Sequence, residues 1–334
     1  MSIPVGVIGG GSFGTCLAIL CEGYGDVTLW TRSQATADAI NRDHRNPHYL
    51  SDTTIPAGVR ATSDLAEAVA KKELVICAVP SHAVREVMGQ AATHLAQGAI
   101  LLSAVKGIEL DTGMTMNQVL RDVLPASHHA RIACLSGPSF AAEIANHKPT
   151  VVTIACQDET YAISVQATLS CPWFRCYTST DVMGVELGGS LKNVIAIAVG
   201  MGDGQNQGHN SRAAIMTRGL AEITRLGIRL GADPTTFLGL SGMGDLILTC
   251  TGDLSRNRRV GLALGQGRGL DEILEEMGEV AEGVNTTRAV CKLADRLNVD
   301  MPMAQLVREV LDRERTPLEA GKSLMMRQLK SEFG

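Results

Sequence analysis

Aromatic residues make up only 3% of the 334 positions, and charged ones only 19%. With few rings to stack on bases, and a formal net charge of −5 from 30 basic against 35 acidic side chains, the chain has no polycationic surface for a nucleic-acid backbone or an acidic membrane. Neither is an expected partner. Cys-x-x-Cys pairs are also missing. The nine cysteines, at 16, 21, 77, 134, 156, 171, 176, 250 and 291, show neither zinc spacing nor a pairing pattern, and read as thiols of a reducing compartment, the cytoplasm. No metal is expected. No apolar run reaches the roughly 18 uninterrupted residues of a membrane span. The apolar start, Ile3 to Cys21, lacks the basic lead of a secretion signal and is broken by five glycines. Repeats, low-complexity tracts and long Pro/Ser linkers are absent too, so the two domains expected at this length should pack closely around a cleft. What is abundant is apolar side chain, at 45%, which excludes disorder.

Short apolar runs alternate with helical patterns through the first 180 residues. They are Val5 to Ile8, Val27 to Trp30, Val59 to Thr62, Leu74 to Val79, Ile100 to Ala104, Ile132 to Leu135, Val151 to Ala155 and Phe174 to Tyr177. Unbroken runs such as Leu74 to Val79 suit strands buried on both faces, the mark of a parallel sheet between helices. Ser33, Ser63 and Ser81 are plausible helix caps between them. Beyond Asp181 the pattern becomes helical, over Val182 to Gly200, Ser211 to Leu230, Arg258 to Leu264, Leu270 to Met277, Thr286 to Leu297 and Met303 to Asp312. The fold class is therefore α/β: a Rossmann-type doubly wound sheet over residues 1–181, then a mainly α-helical domain over 182–334.

The first strand runs into Gly9-x-Gly11-x-x-Gly14. Gly9 permits the tight turn, Gly11 lets backbone approach a pyrophosphate, and Gly14 allows close helix packing. A helix beginning near Ser12 would aim its N–H groups at that pyrophosphate. Where an NAD site places an acidic residue, this chain has Thr31-Arg32-Ser33. Arg32 suits a 2′-phosphate, so NADP is favoured without excluding NAD. Ligands of such sheets gather beyond the carboxyl ends of the strands, and three segments fall there: Val79-Pro80-Ser81, Ser103 to Gly107 with Lys106, and Leu135 to Ala141 with Gly137 and Ser139. Lys192, in a nearly all-apolar helix after Gly188-Gly189, must either snorkel or face a polar cleft, where desolvation would lower its pKa into a useful range for proton transfer. Asp245, after a Gly-rich turn, is an anion able to hold it. Ser255-Arg256-Asn257 at a helix start reads as a phosphate trap.

Taken in order, Gly9 to Thr15, Leu29 to Arg32, Val105 to Gly107, Leu135 to Ala141, Leu191 to Asn193, Gly242 to Leu246 and Ser255 to Asn257 resemble the soluble bacterial NAD(P)-dependent glycerol-3-phosphate dehydrogenases across essentially the whole chain. The resemblance implies reversible reduction of dihydroxyacetone phosphate to sn-glycerol 3-phosphate by NADP(H) or NAD(H), supplying glycerophospholipid synthesis. It makes Lys192 the acid/base residue, with Lys106 and Asp245 beside it. Substrate contacts fall to Lys106, Gly137, Ser139, Lys192, Asp245, Ser255, Arg256 and Asn257. Cofactor contacts fall to Ser12, Phe13, Arg32, Lys106, Ala141, Arg256, Val280 and Glu282, beside the three glycines. Asn193 and Thr249 match positions near the same centre. Gly188-Gly189 departs from the larger residues usual in such a helix. A 3-hydroxyacyl or 6-phosphogluconate type dehydrogenase, and a non-catalytic dinucleotide sensor, remain as alternatives, and the apolar helical half is able to support a homodimer.

Overall fold

Side chains of a strand alternate between the two faces of its sheet, so a strand apolar at every position must be covered on both. The computed structural model describes residues 3–278, 281–329, 331 and 332. Its strands are β1 (Val5–Ile8), β2 (Val27–Trp30), β3 (Val59–Thr62), β4 (Leu74–Cys77), β5 (Ile100–Ser103), β6 (Ile132–Ser136), β7 (Thr150–Cys156) and β8 (Phe174–Ser179). Leu74 and Ile76 of β4 join the core on one face, while Val75 and Cys77 join the core on the other. The helices that cover these faces are α1 (Ser12–Cys21), α2 (Gln34–Asp43), α3 (Leu65–Val69), α4 (Val84–Ala91), α5 (Met116–Val123), α6 (Ala141–Ala145) and α7 (Glu159–Leu169).

The eight strands form one sheet in the order β3-β2-β1-β4-β5-β6-β7-β8. Strands β1 to β6 pair in parallel, but β7 runs antiparallel to β6 and β8 follows β7 in parallel. The sheet is thus the expected doubly wound one, parallel but for its β6–β7 pairing. Between β6 and β7 the only regular element is the five-residue α6, too short for the full helix on which a parallel crossover is usually built.

The second half contains α8 (Val182–Gly204), α9 (Gly208–Arg229), α10 (Asp245–Thr251), α11 (Arg256–Gly265), α12 (Leu270–Met277), α13 (Glu282–Leu297), α14 (Pro302–Leu311) and α15 (Pro317–Met325). Of these, α10 and α15 go beyond the sequence reading. α8 is long and apolar enough to cross a membrane, yet 94% of its apolar window is buried inside the protein, so it is the core helix of this half. It touches the sheet directly, with Val182 and Val185 packing on Cys134 and Ala155.

α8 and α11 cross through glycines on both sides. A Cβ added to Gly200 would stand 2.2 Å from the carbonyl oxygen of Arg258, and one on Gly261 would stand 2.1 Å from that of Ile197. Gly204 and Gly265 meet Leu262 and Met201 in the same way, at 2.3 and 2.4 Å. No larger residue fits at this separation. Buried carboxylates join other elements at their ends: Glu222 of α9 accepts from the Met303 N–H of α14 at 2.9 Å, and Glu186 of α8 accepts from the Asn117 N–H of α5 at 2.8 Å. The nine cysteines are free thiols.

Candidate functional site

The glycine loop leaves the end of β1. Gly9 has φ +123°, a region that L side chains avoid, and a Cβ on Gly14 would lie 1.8 Å from the Gly9 carbonyl oxygen. Above Gly11 there is open space to 4 Å, and Gly11 caps α1 without a side chain. The N-terminal end of α1 is thus presented to a ligand, which fits a dinucleotide pyrophosphate. Asn46, which the sequence reading missed, holds this loop from behind. Its fully buried amide donates to the Gly10 carbonyl at 2.8 Å and to Thr15 Oγ1 at 2.9 Å, and accepts from the N–H groups of His48 and Tyr49. The Asn-Pro turn there was its one local signal.

Arg32 is exposed just beyond β2. Its neighbours are occupied: Thr31 Oγ1 donates to the Ser33 carbonyl, and Ser33 caps α2 through the Thr36 N–H. Of the three residues read as a 2′-phosphate site, Thr31 is buried and Arg32 and Ser33 are exposed. Ser12 and Phe13 open α1 half-buried, and Ala141, also half-buried, opens α6.

The strands β5 and β6 deliver the next group. Lys106, three residues beyond β5, donates from Nζ to the Gly137 carbonyl at 2.9 Å, to Ser139 Oγ at 3.2 Å and to Asp245 Oδ2 at 2.7 Å. Gly137 carries the turn after β6 at φ +134°, and Ser139 Oγ donates back to its carbonyl at 2.8 Å. From the other side, Lys192 of α8 donates from Nζ to Asp245 Oδ1. Thr249 Oγ1 adds a contact to the same oxygen at 3.4 Å.

Two ammonium groups therefore share one carboxylate that has no solvent exposure. Asp245 reaches this place because a π-helical turn, Leu240–Gly244, leads into α10. Such wide turns are frequent at functional sites. Gly188 and Gly189 make room: a Cβ on Gly188 would meet the Ser241 carbonyl oxygen at 2.5 Å, and one on Gly189 would meet Ser136 Oγ at 2.2 Å. The packing around this unusual pair is therefore closed rather than loose. Burial lowers Lys192 from the usual lysine range to about 7; Asp245 opposes this and Lys106 adds to it. A base and acid poised near neutrality, beside a second cation, suits proton exchange with an oxygen that develops negative charge.

On the next residue of α8, Asn193 Oδ1 accepts from Asn257 Nδ2 at 3.0 Å, while Asn257 Oδ1 accepts from the Gly283 N–H at 2.9 Å. The carboxamide of Asn257 thus ties α11 to α8 and α13. Ser255 caps α11 by accepting from the Arg258 N–H, and Arg256 opens that helix exposed. Arg258 forms ion pairs with Asp203 and Asp253. At the head of α13, Glu282 accepts from both the N–H and the hydroxyl of Ser81. Val280 lies outside the described residues. A cavity of about 300 Å³ lies elsewhere, among Met114, Thr115, Met183, Leu230 and Leu293; chemistry rather than concavity locates the site.

A family model described as the NAD-dependent glycerol-3-phosphate dehydrogenase N-terminus matches residues 4–162, and one described as the C-terminus of the same enzyme matches residues 181–322. The chain is 52% identical over 328 residues to a glycerol-3-phosphate dehydrogenase (NAD(P)+) of Myxococcus xanthus, covering 98% of each. With the enzyme of that name from Syntrophotalea carbinolica it shares 50% over 330 residues, covering 98% of this chain and 99% of the relative. The crystal structure of glycerol-3-phosphate dehydrogenase from Coxiella burnetii superposes with a TM-score of 0.92 at 34% identity, over 98% of this chain and 99% of that one.

Proposed function

The chain belongs to the NAD-dependent glycerol-3-phosphate dehydrogenase family, and from that premise we propose how its buried groups divide the work. The reaction is the reversible, NAD(P)H-dependent reduction of dihydroxyacetone phosphate to sn-glycerol 3-phosphate, a precursor of glycerophospholipids. The cofactor, when bound, supplies hydride to the carbonyl carbon.

Lys192 gives its proton to the carbonyl oxygen as negative charge develops there, and takes it back in the oxidative direction. Lys106 stands on the other side of Asp245 and stabilises the same oxygen through charge. Asp245 keeps both ammonium groups aimed at one point, leaving a net single positive charge in a buried setting where it acts strongly. Ser255, Arg256 and Asn257 hold the phosphate at the start of α11, with Gly137 and Ser139 lining the substrate opposite. Gly9, Gly11, Gly14, Ser12 and Phe13 hold the pyrophosphate, Arg32 the adenosine end, and Ala141 and Glu282 the rest of the dinucleotide. The working halves are 1–181 and 182–334, in keeping with the start of α8 at Val182. The reading also takes the enzyme to act in the cytoplasm, apart from nucleic acid and membrane, as a homodimer.

The observation that carries these roles is the Lys106–Asp245–Lys192 cluster, where strand ends of the sheet meet the core helix of the other half. Its test is oxidation of NADPH, and then of NADH, with dihydroxyacetone phosphate, followed by absorbance. Lys192→Ala should lower turnover by roughly 10²- to 10⁴-fold while NADPH still binds with wild-type affinity. Turnover retained within tenfold would remove Lys192 from the chemistry.

A further inference from the structure

Ser81 follows β4 and reads in sequence as a helix cap, but its polar groups go elsewhere. Its N–H donates to Glu282 Oε1 at 3.0 Å and its hydroxyl to Oε2 at 2.5 Å, across 201 positions of sequence. Ser81 is buried and Glu282 half-buried. Against the pair lies Gly107, the neighbour of Lys106. A Cβ there would come within 2.6 Å of Ser81 Cβ and 3.3 Å of Glu282 Oε2. The Gly107 carbonyl in turn accepts from Ser190 Oγ of α8 at 3.2 Å. One carboxylate at the head of α13 thus locks the turn after β4 against the segment that carries Lys106.

The strand order reverses between β1 and β4, which places the ligand crevice there. With the pyrophosphate on α1 and Arg32 marking the adenosine side, the nicotinamide half falls over the ends of β4 and β5. We propose that Ser81 is a positioning residue for the dinucleotide: by donating twice to Glu282 it fixes that carboxylate beside the nicotinamide half, and through Gly107 it holds the Lys106 segment in the same register. A carboxylate held in advance loses no freedom when the cofactor arrives. The proposal rests on the cofactor cleft assigned above.

Fluorescence titration of NADPH, without substrate, on the wild type, Ser81→Ala, Glu282→Gln and the double variant tests it. Each single change should raise the NADPH Kd about tenfold, as expected for a lost bond to a charged group. The double variant should be no more than about twofold worse than the weaker single, because partners in one contact are not additive. Glu282→Asp keeps the charge but withdraws it by one methylene, so it should also raise Kd, and it decides the matter if Ser81→Ala does not fold. An unchanged Kd in Ser81→Ala, or in Glu282→Asp where that variant decides, overturns the proposal, as do fully multiplicative losses. A lowered melting point with unchanged Kd marks a merely structural serine and also overturns it. Wild-type turnover of dihydroxyacetone phosphate is measured alongside: turnover with unmoved Kd values rejects the positioning role alone, whereas a wild type with neither turnover nor NADPH binding rejects the underlying functional reading as well.

Discussion

Replacing Asp245 with asparagine keeps the side-chain shape and removes the charge that Lys106 and Lys192 share. Asp245 has no exposure and Lys192 has 8%, so water and salt screen the pair little. An opposite unit charge about 4 Å away contributes roughly 4 kcal/mol at an effective dielectric constant near 20, which corresponds to about three pH units. In the wild type, burial draws Lys192 down to about 7 against the pull of Asp245. Without that pull the lysine should remain neutral throughout the neutral range. If Lys192 is the acid, as proposed, ketone reduction needs it protonated, so wild-type kcat/KM should fall as pH rises through about 7, and in Asp245→Asn the same limb should lie about three pH units lower. Scarcity of the acid alone would cost on the order of 10³-fold at pH 7, but a more acidic ammonium also releases its proton faster. With a Brønsted slope of about one half, the net loss from titration is roughly 30-fold, equal in both directions because the overall equilibrium is unchanged. The assay is kcat/KM for reduction between pH 5 and 9, with circular dichroism confirming the fold. A limb that stays near 7 in the variant would refute the reasoning, whatever the size of the rate loss.

Three further outcomes follow from the structure. Arg32→Ala should weaken NADPH binding at least tenfold and leave NADH nearly unaffected, so the ratio of kcat/KM for the two cofactors falls; an unchanged ratio would show that Arg32 does not read the 2′-phosphate. Gly261→Val places a side chain where even a Cβ would sit 2.1 Å from the Ile197 carbonyl oxygen, and should destabilise the fold by about 3 kcal/mol or more in urea. Burial raises Glu222 to about 7 from an ordinary 4.5, so the folded state binds the proton more tightly than the unfolded chain. Its contribution is complete below about 4.5 and is lost as pH rises towards 7, a decline of about 3 kcal/mol. Glu222→Gln should flatten that decline when urea midpoints at pH 5 and pH 8 are compared, and an unchanged slope would rule out Glu222 as its source.

Much of the sheet was legible because its information is local. β1, β2 and β3 have the bounds read from their apolar runs, and the helix after the glycine loop starts at Ser12. Lys106, Lys192 and Asp245 each stood out locally, as a cation at a strand end, a lysine in an apolar helix and an acid after a flexible turn. Their meeting did not, since Lys106 and Asp245 are 139 positions apart. Separation in sequence, of 201 and 36 positions, likewise hid the partner of Ser81 and the hold of Asn46 on the glycine loop. The start of α3 was misplaced by one residue, because Asp64 rather than Ser63 accepts from its first N–H groups. α15 did carry a signal, a capping box of Thr316 and Glu319 around Pro317, of the kind that marks a helix start. α10 carried none, being seven residues long and entered through glycines.

The glycine crossing of α8 and α11 gives the enzyme a built-in caliper. Lys192 and Asn193 ride on one jaw, and the first turn of α11, with Arg256 and Asn257, rides on the other. The gap between the jaws is set by carbonyl oxygens pressed against bare Cα atoms, not by a loop that can stretch. On the roles proposed for these residues, the span from phosphate to reacting oxygen is gauged by the hydrophobic core itself. On those roles a longer substrate would have to pry apart two helices and a shorter one would not span the gap, so selection for a three-carbon phosphate would lie where the protein is least deformable.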